Sequence, residues 1–280
     1  MSLVPYNSNS LLYSAEKMIS MRKKALKNSF PLIPVTIICV SNRPKMWLNV
    51  VQNIKRQTYP ADKIQIIFVA NTHEDKFLQW KFSTNNDERL NKSYYWFKAF
   101  HSLGKSLNFA LSHANGEIVF KMDDDDIYGD NYVKDTVNAM IDTNADVMLK
   151  PNAWIYFTQR KYIAFYPRLD LYYTYEEMQK PTPVFGGCLT WRPRRVKTRF
   201  QDIGKGEDTH WVKDMFEEKR KYMDKNIKVV AGDAYNYVWI RKQNVEHTYK
   251  FDYDNIINKT NGLFCLTSDK LKETLKTILI

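Results

Sequence analysis

An α/β fold, with a mostly parallel central sheet flanked by helices, follows from the order of apolar runs in this chain. Pro34–Val40 and Ile64–Val69 are short, nearly continuous apolar runs, as expected of parallel strands covered on both faces. Between them Trp47, Val50, Val51 and Ile54 recur at helical spacing, so strand, helix and strand imply a right-handed crossover. A third apolar run, Ile118–Phe120, leads within three residues to four consecutive carboxylates, Asp123–Asp126. Ligands in such sheets bind at the carboxyl ends of the strands.

Length and composition agree with that class. The chain has 280 residues, enough for one large domain or two small ones, and its 44% apolar content supports a sizeable core. Lysine and arginine number 42 against 31 acids, a net charge of +11 that favours anionic partners such as nucleotide diphosphates, nucleic acid or an acidic membrane surface. Cys39, Cys188 and Cys265 are odd in number, far apart and set among apolar residues. They read as buried thiols of a reducing compartment, without a disulfide framework. No signal peptide or long apolar span is visible, so a soluble, cytoplasmic protein is expected.

Taken in order, the polar start leads into Leu11–Asn28, where apolar residues recur at helical spacing among Lys17, Arg22, Lys23, Lys24 and Lys27. This extension, residues 1–30, either docks on its own domain or lies on an anionic bilayer. The first strand ends at Ser41-Asn42-Arg43-Pro44, where Pro44 can open the next helix. That helix is broken by Thr58-Tyr59-Pro60, and the second strand ends at Ala70-Asn71-Thr72. Tyr94–Phe97 reads as a third strand. Leu103-Gly104-Lys105-Ser106 resembles the end of a phosphate loop, but the glycine required five positions before Gly104 is Ala99, so a plain helix over Lys105–His113 is expected. Lys105 could still reach a phosphate.

Beyond the acidic run, Asp130–Thr143 reads as a helix, Val147–Leu149 and Ala153–Phe157 as strands, and Lys161–Phe165 as a hairpin partner. Pro167–Pro183 is a long tyrosine-rich connection in which Tyr172, Tyr173 and Tyr175 either stack on a sugar or base or pack beneath the loop. Gly186-Gly187 precedes a strand at Cys188–Trp191, and paired glycines permit close approach of backbone to a ligand. Gly206-Glu207-Asp208 leads into a helix over Thr209–Tyr222, and Val229–Val230 and Tyr235–Ile240 read as further strands. A catalytic domain over residues 31–250 and a tail over 251–280, with a helix at Leu271–Ile280, complete the expected organisation.

The chemistry concentrates at Lys121–Tyr128, K-M-D-D-D-D-I-Y. Four adjacent negative charges repel, so some must protonate or meet a cation. Mg²⁺ and Mn²⁺ prefer carboxylate oxygens and leave positions open for substrate phosphates. The run therefore reads as a metal–diphosphate site, or else as a solvated acidic turn ahead of a helix. Glu207 and Asp208 either complement a helix dipole or hold a general base.

Five segments in the same order are similar to one known family. They are P-V-T-I-I-C-V-S-N-R-P, the Q-T-Y-P break at Gln57–Pro60, L-N-F-A-L at Leu107–Leu111, N-G-E-I-V-F-K-M-D-D-D-D-I-Y, and Gly206-Glu207-Asp208. From about Pro31 to His247 the chain resembles the family 2 glycosyltransferases with the GT-A fold, a Rossmann-like sheet with a small antiparallel part near the acceptor side. The resemblance implies an inverting transfer of sugar from a nucleotide-diphosphate sugar, with Mn²⁺ or Mg²⁺ as cofactor. It implies Asp208 as general base with Glu207 beside it, Asp125 as direct metal ligand and Asp123 shared between metal and ribose. It further implies His247 as a metal or diphosphate contact, and Asn42 and Arg43 lining the nucleotide pocket; Asn71, Lys105, Asp124 and Gly187 are further candidates around the donor. Where family members carry an acid pair gripping uracil, this chain has Ala70 and Asn71, which leaves the nucleotide base open.

A saccharide or lipid-linked acceptor, surface glycan synthesis and peripheral association with the inner membrane face fit the basic charge. A nucleotidyltransferase would carry a glycine-rich loop after the first strand, and S-N-R-P-K has no glycine. A non-enzymatic nucleic-acid binder would match the charge, but no nucleic-acid motif accompanies it, and no nucleic-acid partner is expected.

Overall fold

The computed structural model describes residues 30–72, 76, 91–97, 101–159, 161–166, 176–221, 227–242, 275–276 and 278–279. The N-terminal extension, most of the tyrosine-rich connection, His247, Cys265 and most of the C-terminal helix lie outside these residues.

The strands are β1 (Val35–Ser41), β2 (Ile64–Ala70), β3 (Asn91–Trp96), β4 (Ile118–Lys121), β5 (Ile127–Tyr128), β6 (Val147–Leu149), β7 (Ala153–Phe157), β8 (Tyr162–Tyr166), β9 (Glu176–Glu177), β10 (Thr190–Trp191), β11 (Val229–Ala231) and β12 (Tyr237–Arg241). The helices are α1 (Trp47–Lys55), α2 (Leu103–Ser112), α3 (Tyr132–Asp142) and α4 (Glu207–Lys221). Among the described residues eight strands form the main sheet, in the order β3-β2-β1-β4-β10-β6-β11-β9. β1 pairs in parallel with β2 and β4, and β2 with β3. The short β10 runs antiparallel between β4 and β6. A second sheet, β5-β12-β7-β8, pairs β12 with β5 and β7 with β8 antiparallel and β12 with β7 in parallel.

The side-chain period of two explains how the main sheet is covered on both faces. Ile37 and Cys39 join Trp47, Val50 and Ile54 of α1 and Val133 and Val137 of α3 on one side. Ile38 points the other way, into a cluster with Leu107, Ala110 and Leu111 of α2 and Trp211, Val212, Met215 and Phe216 of α4. Cys39 and Cys188 are buried free thiols. Pro44 opens a 3-10 turn, Pro44–Met46, that delivers the chain into α1.

The recurring motifs turn out to be long-range ties. Gln57 donates to the carbonyl of Gly129 (2.9 Å) and accepts from the N–H of Val133 (3.1 Å), fastening the end of α1 to the start of α3. Asn108 accepts from the N–H of Phe200 (2.9 Å) and donates to its carbonyl (2.7 Å). Gly104 serves packing rather than phosphate, since a β-carbon there would lie 1.8 Å from the carbonyl oxygen of Gln201. Together Gly104 and Asn108 seat residues 200–203, the lead-in to Glu207 and Asp208, on α2.

Candidate active site

The carboxyl ends of β1, β2 and β4 share one edge, because Val35 is in register with both Ile64 and Ile118. Asn42, Arg43, Asn71 and the acidic run therefore meet there.

The run itself is extended enough to alternate. Asp124 and Asp126 point inward and are 2% and 1% exposed, whereas the Asp123 side chain is 35% exposed and that of Asp125 12%. Asp124 is bonded by the Ser41 hydroxyl and the Arg43 guanidinium, whose Nε stands 3.2 Å away. Burial pushes its carboxyl up to about 6, and Arg43 opposes a larger rise. Asp126 accepts from the Tyr237 hydroxyl (2.6 Å) and the N–H of Ile240 (3.1 Å), and burial pushes it well above the usual carboxylate range. Asn49 and Asn53 hold the carbonyls of Asp124 and Asp126. The inner pair thus fixes the loop, and Asp124 is the buried counter-ion of Arg43.

Arg43 also reaches Asp125, with Nη1 2.9 Å from Oδ2. The Arg241 guanidinium lies 3.3 Å from the Trp239 ring centroid. Burial lowers the pKa of Arg241, with Asp126 and Asp125 pulling the other way.

Asp123 is placed by groups from three directions. Its N–H donates to the Tyr128 hydroxyl (2.8 Å), which donates to the carbonyl of Gly187 (2.7 Å). Its Oδ1 accepts from Lys121 Nζ (2.6 Å). A β-carbon on Gly187 would lie 3.0 Å from Asp123 Oδ2, and one on Gly186 would lie 1.9 Å from Asp208 Oδ2. The paired glycines, expected to precede a strand starting at Cys188, lie with Cys188 in a 3-10 turn that brings bare backbone against both carboxylates.

Gly206, with φ of +73°, adopts the left-handed conformation that glycine tolerates and starts α4. Glu207 is 5% exposed, with Oε1 3.7 Å from Lys121 Nζ. Burial first, then Asp208 and Asp123, push its carboxyl up to about 7 while Lys121 pulls it down. Asp208 is partly exposed, and its Oδ1 accepts from the N–H of Thr209 (2.6 Å). Burial disfavours the charge on Lys121, yet Asp123, Glu207 and Asp208 hold it well above the ordinary lysine range.

The other residues fall differently. Asn71 is buried, and its amide accepts from the His101 N–H at 3.1 Å and donates to the His101 carbonyl at 2.7 Å. Asn42 and the side chain of Lys105 are exposed. Ser41, Lys121, Tyr128 and Tyr237 join the site with no role of their own assigned from the sequence. For Lys121 the signal was present: a cation closing the otherwise apolar I-V-F-K strand.

The donor set suits a hard divalent cation. Asp123 and Asp125 offer carboxylate oxygens at the exposed side of the loop, while among the described residues no group of three or more His, Cys, Asp or Glu side chains is gathered for a metal. Mg²⁺ and Mn²⁺ sites that use one or two carboxylates and substrate phosphates have this form.

The family model for glycosyl transferase family 2 matches residues 35–199. Among solved structures, S. aureus TarS 1–349 is 18% identical, with 74% of this chain and 60% of that chain covered and a TM-score of 0.54. The same fragment in complex with UDP-GlcNAc gives 16% identity, 88% and 72% coverage and a TM-score of 0.54. Mannosyltransferase PcManGT from Pyrobaculum calidifontis, in complex with GDP-Man and Mn²⁺, gives 15%, 83% and 65%, and 0.50. A longer TarS chain is covered over 37% of its length. Likeness at these identities is one of fold. No curated protein sequence matches the chain.

Proposed function

The chain belongs to glycosyl transferase family 2, and from that premise we propose that it moves a sugar, with inversion, from a nucleotide-diphosphate sugar to a hydroxyl of a saccharide or lipid-linked acceptor. One observation carries the reading: Asp123 and Asp208 lie against adjacent glycines, Gly187 and Gly186, which supports their acting as a donor-side and an acceptor-side carboxylate of one site. Structures of similar fold were determined with UDP-GlcNAc and with GDP-Man and Mn²⁺, which supports a nucleotide-sugar donor.

In this reading Asp208 takes the proton of the acceptor hydroxyl, a contribution of about 10²–10⁴-fold for a positioned base. Glu207 borders the acceptor and shares its charge with Lys121. Asp125 and Asp123 hold Mn²⁺ or Mg²⁺, which when bound neutralises negative charge on the departing diphosphate. Arg43 and Lys105 stand on the donor side as further cations, and the exposed Asn42 borders the same edge. His247 is proposed as an additional metal or diphosphate contact. UDP is the first nucleotide to test, with GDP beside it, because Asn71 carries no acid charge. The basic character also supports peripheral association with an anionic membrane surface, which sedimentation with anionic liposomes measures. Among the described residues no helix is long and apolar enough to cross a membrane.

The test is hydrolysis of a panel of nucleotide sugars with and without Mn²⁺, repeated on Asp125→Ala and Asp208→Asn. Asp125→Ala should abolish metal-dependent donor binding, and Asp208→Asn should spare binding and lose transfer. Equal loss of binding in both would refute this division of roles.

A further inference from the structure

We propose that Lys121 is a positioning residue that couples the donor side of the cleft to its base side. The inference rests on Asp123 serving the donor and Asp208 the acceptor. Lys121 closes β4, is 2% exposed, and is fixed through its backbone N–H on the carbonyl of Leu189 (2.9 Å). Its ammonium reaches three separate pieces of the chain: Asp123 Oδ1 at 2.6 Å, the carbonyl of Gly186 at 3.1 Å, and Glu207 Oε1 at 3.7 Å. These belong to the acidic run, the glycine turn and the first residue of α4.

The ammonium donates hydrogen bonds to Asp123 and to the Gly186 carbonyl and forms a longer ion pair with Glu207. A charge is held in an interior only when paired, and an apolar residue would extend I-V-F at lower cost. The placement makes sense if the arrangement of the partners matters. With Oδ1 of Asp123 held by the ammonium, Oδ2 is the oxygen that borders Gly187. The same ammonium draws in the carbonyl of Gly186, whose α-carbon abuts Asp208, and the side chain of Glu207 next to Asp208 in sequence. Lys121 therefore sets where the donor-side carboxylate stands relative to the base, without touching either substrate.

The test uses the full chain and three variants: Lys121→Met, Lys121→Arg, and Lys121→Met combined with Glu207→Gln. The readouts are the thermal midpoint, binding of UDP and of GDP with Mn²⁺, and kcat and KM for hydrolysis of the donor selected by the panel. Lys121→Met should lower kcat by about 100-fold, the effect of misplacing reacting groups by an ångström, with a smaller change in KM. Lys121→Arg should recover part of kcat by keeping the charge. The double variant leaves no uncompensated Glu207, so its thermal midpoint should return toward wild type while kcat stays low. Recovery of kcat with the midpoint would show that the lysine merely neutralises Glu207, and would overturn the inference. A Lys121→Met kcat near that of wild type would do the same. If both Met variants fail to fold, the lysine is a folding residue and the inference falls. Loss of transfer in Asp208→Asn with full activity in Lys121→Met would sink this inference alone, whereas retained transfer in Asp208→Asn would sink the reading beneath it.

Discussion

Gly186 abuts Asp208 so closely that a β-carbon on the glycine would lie 1.9 Å from Oδ2 of the carboxylate. Twenty-one residues separate the two, and the contact joins the glycine turn ahead of β10 to the first turn of α4. Gly186→Ala must therefore push the carboxylate aside, and about 100-fold loss of kcat is expected for a displaced base. Donor binding should persist, because Asp125 and Arg43 lie elsewhere on the edge. Unchanged kcat would show that Asp208 tolerates relocation and is not the base.

Arg43→Ala leaves the Asp124 carboxylate, 2% exposed, without its guanidinium partner. Breaking a buried pair from one side costs about 3–5 kcal/mol. Combining Arg43→Ala with Asp124→Asn should restore much of that stability, as read by urea unfolding. Equal instability of the single and double variants would mean that the ion pair is not what holds the loop.

Asn108→Ala removes both bonds to Phe200, whose N–H and carbonyl are 2.9 and 2.7 Å from the amide. Stranding such buried backbone groups costs about 1–3 kcal/mol. Hydrogen exchange should rise selectively over residues 200–206. Protection unchanged there would assign the seating of this segment to Gly104 instead.

The carboxyl of Glu207 is pushed up to about 7, chiefly by burial. Unfolded, a glutamate titrates near about 4.3. Between those values the folded protein holds a proton that the unfolded chain has released, so stability falls as pH rises through the window. The shift sets a ceiling on the order of 3 kcal/mol. Denaturant midpoints at pH 5 and pH 8 should differ in the wild type and converge in Glu207→Gln. An identical pH slope in both proteins would assign the dependence to another group.

Much of the fold could be read along the chain because its causes are local. The apolar runs at Pro34–Val40 and Ile64–Val69 gave β1 and β2 nearly to the residue, and Val147–Leu149 and Ala153–Phe157 match β6 and β7. Helix starts were less legible: α4 begins at Glu207 rather than Thr209, since both acids lie in its first turn. The stretch expected as a strand at Cys188–Trp191 begins with a 3-10 turn, where close packing on Asp123 and Asp208 overrides the apolar pattern.

Sequence alone determined the family signature, the order of strands and helices, and the presence of acids at a strand's carboxyl end, because period, turn chemistry and short motifs are written in neighbouring residues. The tertiary structure decided which acids are which. Asp126 is set apart by Tyr237, 111 positions away, while Asp124 and Asp125 share Arg43, 81 and 82 positions away, with Asp124 the more buried of the two. It also gave Lys121 its three partners and set Gly186 against Asp208. Charge in an interior is tolerated only where a counter-charge meets it; for Asp124 and for Glu207 that partner comes from a distant segment, and no local pattern encodes where those segments will meet.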